Sequence, residues 1–260
     1  MVNITFYSSV ASQQTVSFPS KWNDLSRSEA ETVCSAIASD STATALLVLL
    51  LEGRAKAQRV RLPVDWRQRV NAEDFTLYVL PLLDGLLAKP ELTKQHYPTL
   101  RRSKGPADDF NDITVAEYEQ CEHYAGYYQR DPKRDYILEI IRVLWRPTVW
   151  GRRRAYNTEG RLRTASFFAK LPDATLHTIY LWYTSCRASL PLLFPAAFGV
   201  GGPSGAPDPM ALTNLIHTSA GDKNGQRPQV RQTSLKEFLF ECNRCALEQE
   251  RIEEMHSKNQ

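Results

Sequence analysis

With 260 residues, 42% apolar, 10% aromatic and 23% charged, the chain can bury a large core without disulfides or structural metal and is too hydrophobic to be disordered as a whole. Lys and Arg number 32 against 29 Asp and Glu, and a formal charge of +3 excludes polyanion binding driven by the whole-molecule field, so any basic site must be a patch. The longest apolar run, Ala45 to Leu51, is about a third of the roughly 20 residues that span a bilayer. No basic-then-apolar leader opens the chain and its five cysteines are scattered, so a protein of the cell interior with no membrane contact is expected.

Ile4 and Phe6, then Val16 and Phe18, alternate with polar neighbours across a polar stretch, which predicts a short N-terminal β-hairpin. Ser26-Arg27-Ser28-Glu29 is a capping box, in which serine and glutamate satisfy each other's orphan backbone N–H groups, and it predicts a helix to about Ala38. Thr42 to Ala55 is apolar nearly all round and predicts a fully buried helix, with a strand as the alternative. Val60, Leu62 and Val64 alternate with arginines and Pro63, predicting an edge strand beside the hairpin. Asn71 to Asp74 opens a further predicted helix carrying Phe75, Tyr78, Val79, Leu82, Leu83 and Leu86, kinked at Pro81.

Residues 89–109, rich in proline and charge, predict a linker or long surface loop. Thr114 to Glu117 is a second capping box, followed by the stripe Tyr118, Cys121, Ala125 and Tyr128. Asp131-Pro132 predicts the next helix start, with Ile137, Ile140, Ile141 and Leu144 inward until Pro147. Arg146 to Arg163 predicts a loop with short helical turns. Asp173 opens a helix ending near Pro191, and Gly199 to Pro209 and Gly221 to Pro228 are too rich in glycine and proline for regular structure. Between them a short helix carries Leu212, Leu215 and Ile216, which a partner protein could take up. Ser234 to Glu237 is a last capping box, opening a long helix with Leu235, Phe238, Leu239, Cys242, Cys245 and Ile252 on one face and a frayed end past Glu253. The fold class expected is mainly α with a small N-terminal β element, as one domain over 1–260; a division, if present, falls near 89–109 and gives 1–88 and 110–260.

Catalytic and metal templates fail one after another. Cys242-Asn243-Arg244-Cys245 lies on an apolar helix stripe with no second pair at zinc-knuckle spacing, and the five histidines never recur at ligand spacing. The acidic residues Asp108, Asp109, Asp112, Glu117 and Glu119 sit where a helix start favours carboxylates. Neither a phosphate-binding glycine loop nor a G-x-S-x-G elbow is present. No catalytic residue, metal or cofactor is therefore expected, and no enzyme.

One segment has chemical character. Arg142, Arg146, Arg152, Arg153, Arg154, Arg161 and Arg163 face only Glu159, a local charge of about +6, and Trp145, Trp150, Tyr156 and Phe167 interleave with them. Arginine suits phosphate and aromatic rings stack on bases, so this segment is a candidate contact for single-stranded nucleic acid or a partner. The competing expectation is a solvated loop whose arginines pair with Glu248, Glu250, Glu253 and Glu254.

Pro19-Ser20-Lys21-Trp22-Asn23-Asp24-Leu25-Ser26 resembles the P-x-x-W-N-x-L-t opening of a family from structural gene modules of phages and prophages of Bacteroidetes-type bacteria. Thr114 to Tyr128, Ile137 to Pro147 with its Leu144-Trp145-Arg146-Pro147 end, and Leu193 to Phe198 are also similar. The resemblance implies a non-enzymatic role in virion or tail morphogenesis, as of a tail assembly chaperone, with other phage structural proteins as partners, in the bacterial host cytoplasm or the virion. Nucleic-acid binding through residues 142–163 is the alternative.

Overall fold

The alternating segments at the N-terminus form the hairpin they predict: β1 (Val2–Tyr7) pairs antiparallel with β2 (Gln13–Phe18), placing Ile4 opposite Val16. The computed structural model describes residues 2–7, 13–39, 43–63, 65–67, 91–157, 168–199 and 227–258. The chain is mainly α-helical with small antiparallel sheets, and it divides into two compact units: Met1–His96 with Leu171–Ser185, and Tyr97–Lys170 with Cys186–Gln260. Among the described residues no helix is long and apolar enough to cross a membrane. The helix expected over 71–88, with its kink at Pro81, lies outside the described residues.

In the first unit, α1 (Arg27–Ala38) starts at the capping box: Glu29 N–H donates to Ser26 Oγ at 3.4 Å, and Ser26 N–H donates to Glu29 Oε2 at 2.7 Å. Its neighbour α2 (Ala43–Ala57) is a helix, not the alternative strand, and packs on both α1 and β2. It buries Leu46, Leu47, Leu50, Leu51 and Ala55 but exposes Leu49, so the fully buried segment expected from its composition has an open face. Arg59 ends it with φ +57°, Arg59 N–H donating to Lys56 O and Val60 N–H to Ala55 O, the paired bonds of a Schellman cap. That left-handed turn diverts the chain, and residues 60–63 form no strand beside the hairpin; Val64 lies outside the described residues. Gln58 does the strand's work instead: its amide accepts from Ser17 N–H at 3.0 Å and donates to Ser17 O at 2.9 Å.

The landmarks of the Pro19–Ser26 segment each have a structural task. Trp22 and Leu25 are buried, and Ser26 caps α1. Asn23 accepts from the backbone N–H groups of Thr93 and Lys94, at 3.0 Å each, and donates to Thr93 Oγ1, holding a loop 70 residues away.

The second unit carries α3 (Val115–Arg130) and α4 (Arg134–Leu144), which pack against each other. The predicted stripe of α4 is buried throughout, from Ile137 to Leu144. This helix begins at Arg134, not at Asp131-Pro132, because Asp131 is already engaged in closing α3, its N–H donating to Tyr127 O. Two segments expected as loops form a four-stranded antiparallel sheet: β3 (Thr99–Leu100), β4 (Ser103–Lys104), β5 (Arg146–Val149) and β6 (Arg152–Arg153), in that order. Beneath it Trp145 is fully buried and donates Nε1–H to Tyr97 O at 2.8 Å. Gly105 fits there because a Cβ would lie 2.5 Å from Trp145 Nε1 and 2.9 Å from Tyr97 O.

One long helix, α5 (Asp173–Leu193), contributes its residues up to Ser185 to the first unit and the remainder to the second, and Pro191 falls in its last turn. The chain closes with α6 (Arg227–Gln232) and α7 (Leu235–Lys258). The starts of α3 and α7 are tied reciprocally, Val115 N–H donating to Thr233 O and Leu235 N–H to Ile113 O, so each end satisfies a donor the other leaves orphaned. Two expectations for α7 fail. It runs to Lys258 without the fray placed after Glu253, and its inward stripe stops early: Leu235, Phe238 and Leu239 are buried, while Cys245 and Ile252 are exposed. The second unit supplies no described cover for the later turns.

Candidate anion-binding site

The arginine-rich segment owes its geometry to a helix cap. Glu117 is the third residue of α3 and its carboxylate is fully buried. Its Oε2 accepts from Thr114 N–H at 2.8 Å and from the Thr114 hydroxyl at 3.0 Å, completing the capping box. This leaves Oε1 directed at two guanidinium groups: Arg146 Nη2 forms a short charged hydrogen bond to it, and Arg153 Nη1 lies at 3.1 Å. A carboxylate at a helix N-terminus is favoured by the macrodipole, and here it is also the anchor that draws β5 and β6 onto α3.

The two arginines are not equally satisfied. Arg153, with 6% of its side chain exposed, also donates to Leu144 O at 3.0 Å and to Asp112 O. Arg146, with 10% exposed, has no hydrogen-bond partner among the described residues for Nε or Nη1, although both atoms are buried. Burial pulls the Arg146 guanidinium below the usual arginine value, Glu117 pulls it up, and the neighbouring charge of Arg153 pulls it down. Leaving donors of a charged group unpaired in a buried position costs on the order of 1–3 kcal/mol.

Arg146 lines a cleft of about 560 Å³. Lys104, Arg152, Arg153, Arg154 and Arg231 line it too, against the carboxylates of Asp112 and Glu117. Arg231 is held by Glu119, through Nε at 2.9 Å and Nη2 at 3.0 Å. The Tyr156 ring stands 6.0 Å from Arg146 Cζ. Six cations against Asp112, Glu117 and the Glu119 that holds Arg231 leave the cleft with net positive charge.

Beside the cleft the sheet ends in two adjacent hairpin tips. Both loops have two residues, Arg101-Arg102 between Leu100 and Ser103, and Trp150-Gly151 between Val149 and Arg152. The pairing of Ser103 with Pro147 and Lys104 with Arg146 puts both tips at one end of the sheet, and Lys104 Nζ donates to Gly151 O at 3.3 Å. Trp150 and Gly151 both have positive φ, +53° and +73°, as a type I′ turn requires, and Arg101 has φ +54°. Trp150 is 97% exposed. A bulky residue in left-handed backbone is an outlier, and a tryptophan projecting wholly into solvent is another.

Of the residues singled out in the sequence, Arg146, Arg152, Arg153 and Arg154 meet in this cleft and Trp150 stands at the adjacent tip. Arg161, Arg163 and the helix with Leu212, Leu215 and Ile216 lie outside the described residues, as does Phe167. Trp145, grouped with the stacking aromatics, is core instead. The counter-ions differ from those expected: Arg153 and Arg146 turn to Glu117 and Asp112 rather than to the glutamates of α7, where Glu248 approaches Arg244. Sequence reasoning missed Arg101, Arg102, Lys104 and Arg231. The first three form a visible basic run, R-R-x-K, whose strand partner 43 or so residues onward leaves no local signal.

Among the described residues no three His, Cys, Asp or Glu side chains gather into a metal-binding group. Burial pushes the Cys34 thiol up to about 11 and raises Cys121 and Cys186 as well, so these thiols are held protonated. No family model matches the chain, and no curated protein or solved structure matches it either.

Proposed function

We propose that the protein binds single-stranded nucleic acid at the paired hairpin tips of its second unit. The observation that carries the reading is Trp150, strained and wholly exposed, with Arg101 and Arg102 at the adjacent tip and Arg152 and Arg154 in the chain that leaves its own turn. A base can stack on the indole while guanidinium groups meet the phosphates on either side, a combination tolerant of sequence. Titrating the full chain with a thymidine oligonucleotide should quench tryptophan emission, and Trp150→Phe should remove most of the quench. With four arginines on phosphate, log K should fall with log salt at a slope of about −3, reduced to about −1.5 by Arg101→Gln with Arg102→Gln. Absence of quenching at low salt would sink the reading.

A second reading rests on α7. Its exposed Phe240, Leu247, Ile252 and Met255, between 45% and 59% accessible, give a helix that protrudes with apolar side chains. Together with the resemblance to phage structural modules, this supports a non-enzymatic assembly role through protein contact, with other virion or tail proteins as partners. Gene position tests it: neighbouring tail or capsid genes support the role, and a metabolic operon removes it.

A further inference from the structure

We propose that the cleft around Arg146 is a binding site for a phosphate monoester. It shares Arg152 and Arg154 with the nucleic-acid surface but does not depend on Trp150, which is not among its lining residues.

The argument begins with the positive charge that the protein leaves unmatched. Arg153 is consumed by Glu117, Asp112 and the Leu144 carbonyl, and Arg231 by Glu119. Lys104 donates to a carbonyl, which does not neutralise it, and Arg152 and Arg154 are exposed. Arg146 shares its one carboxylate with Arg153 and keeps Nε and Nη1 without an acceptor among the described residues. The cleft therefore has an excess of more than one positive charge, and its wall includes Arg146, whose Nε and Nη1 are buried without an acceptor among the described residues. A single carboxylate would leave part of that charge uncompensated, whereas a phosphate monoester carries close to two negative charges and three acceptor oxygens at neutral pH.

The structure also explains why Arg146 is not free to fold away. Its backbone belongs to β5, paired with Lys104 of β4, and its Nη2 is fastened to a carboxylate that is itself fixed by the cap of α3. Donors held in this way lose little freedom when an anion arrives, which favours binding. The volume of about 560 Å³ lies within the usual range for small-ligand pockets, larger than a bare phosphate requires, and Tyr156 offers a ring beside it. A phosphate with an organic group attached fits that combination. Two sources share this chemistry, a phosphorylated small molecule and the phosphorylated end of a nucleic-acid strand.

Isothermal titration of the full chain with inorganic phosphate, at constant ionic strength against chloride, reads the site. Saturable binding is expected. Arg146→Lys, which keeps the charge beside Glu117 but loses the guanidinium donors, should weaken it tenfold or more; Arg154→Gln, at an exposed position with no fold to support, should weaken it about threefold. Trp150→Ala should leave phosphate affinity unchanged while weakening oligonucleotide binding read by anisotropy of a dye-labelled strand, so failure of one site is distinguishable from failure of the other. A 5′-phosphorylated thymidine oligonucleotide preferred over its 5′-hydroxyl form, with the preference lost in Arg146→Lys, identifies the strand end as the source. Equal affinity for both forms, with phosphate binding retained, identifies a small phosphorylated molecule. No saturable phosphate binding by the wild-type chain, or equal binding by wild type and Arg146→Lys, overturns the proposal.

Discussion

Both units open a helix with the same device, a capping-box glutamate that is buried and paired with arginine. In the first, Glu29 meets Arg54 Nε, and Arg54 Nη2 donates to Asp24 O at 2.8 Å, so one carboxylate and a carbonyl hold one guanidinium. In the second, Glu117 faces two guanidiniums, and the one that is less satisfied lines a cationic cleft. The difference is stoichiometric. One arginine per glutamate gives a charge-balanced tie between α1 and α2, although Arg54 Nε too is buried without a hydrogen-bond acceptor among the described residues, and a second arginine turns the same tie into a scaffold with charge to spare for a ligand.

The largest expected effect breaks the comparison at its centre. Glu117→Gln leaves Arg146 without its counter-ion and Arg153 with Asp112 alone, and should cost about 3–5 kcal/mol in urea unfolding. Glu29→Gln strands a single arginine and should cost less, nearer 2 kcal/mol, because Arg54 retains the Asp24 carbonyl. Equal losses from both variants would mean that the second arginine adds nothing to the demand on Glu117.

The platform under the cleft gives the next effect. Gly105→Ala puts a methyl group 2.5 Å from Trp145 Nε1 and 2.9 Å from a backbone oxygen, neither of which can move aside freely. A stability loss of about 1–3 kcal/mol is expected, accompanied by weaker phosphate affinity because β4 and β5 shift together. A first-unit variant should separate the two readouts: Asn23→Ala loses its bonds to Thr93 and Lys94, should cost about 1 kcal/mol, and should leave phosphate affinity unchanged. Calorimetric binding curves on both variants check the pair.

The two regions were also unequally legible. The capping boxes at Ser26 and Thr114 are each complete within one helical turn and the hairpin between Val2 and Phe18; all are local patterns, and they form where the sequence predicts them. The four-stranded sheet is built from strands of two to four residues that meet only through long-range pairing, such as Lys104 with Arg146, and so short a strand has no periodicity to read. Glu117 was legible as a cap and illegible as a counter-ion, because its first role is local and its second is tertiary. The arginine cluster was visible as composition. Its division into a buried pair and an exposed pair follows from strand alternation, Arg153 inward and Arg152 and Arg154 outward, which required knowing that the segment is a strand.

The smallest expected effect is the most informative about the hairpin tips, since it runs against the usual direction. Trp150 is 97% exposed, so replacing it removes almost no packing, and its φ of +53° is unfavourable for a bulky side chain. Asparagine tolerates left-handed backbone, and Asn-Gly is the preferred pair for a two-residue type I′ loop. Trp150→Asn should therefore raise stability by about 0.5–1 kcal/mol, visible as a small increase in Tm, while weakening oligonucleotide binding read by anisotropy of a dye-labelled strand. A residue kept for the turn would show a loss of stability on replacement. A gain in stability combined with loss of binding would mean that the strained tryptophan is retained for what it touches, not for what it holds together.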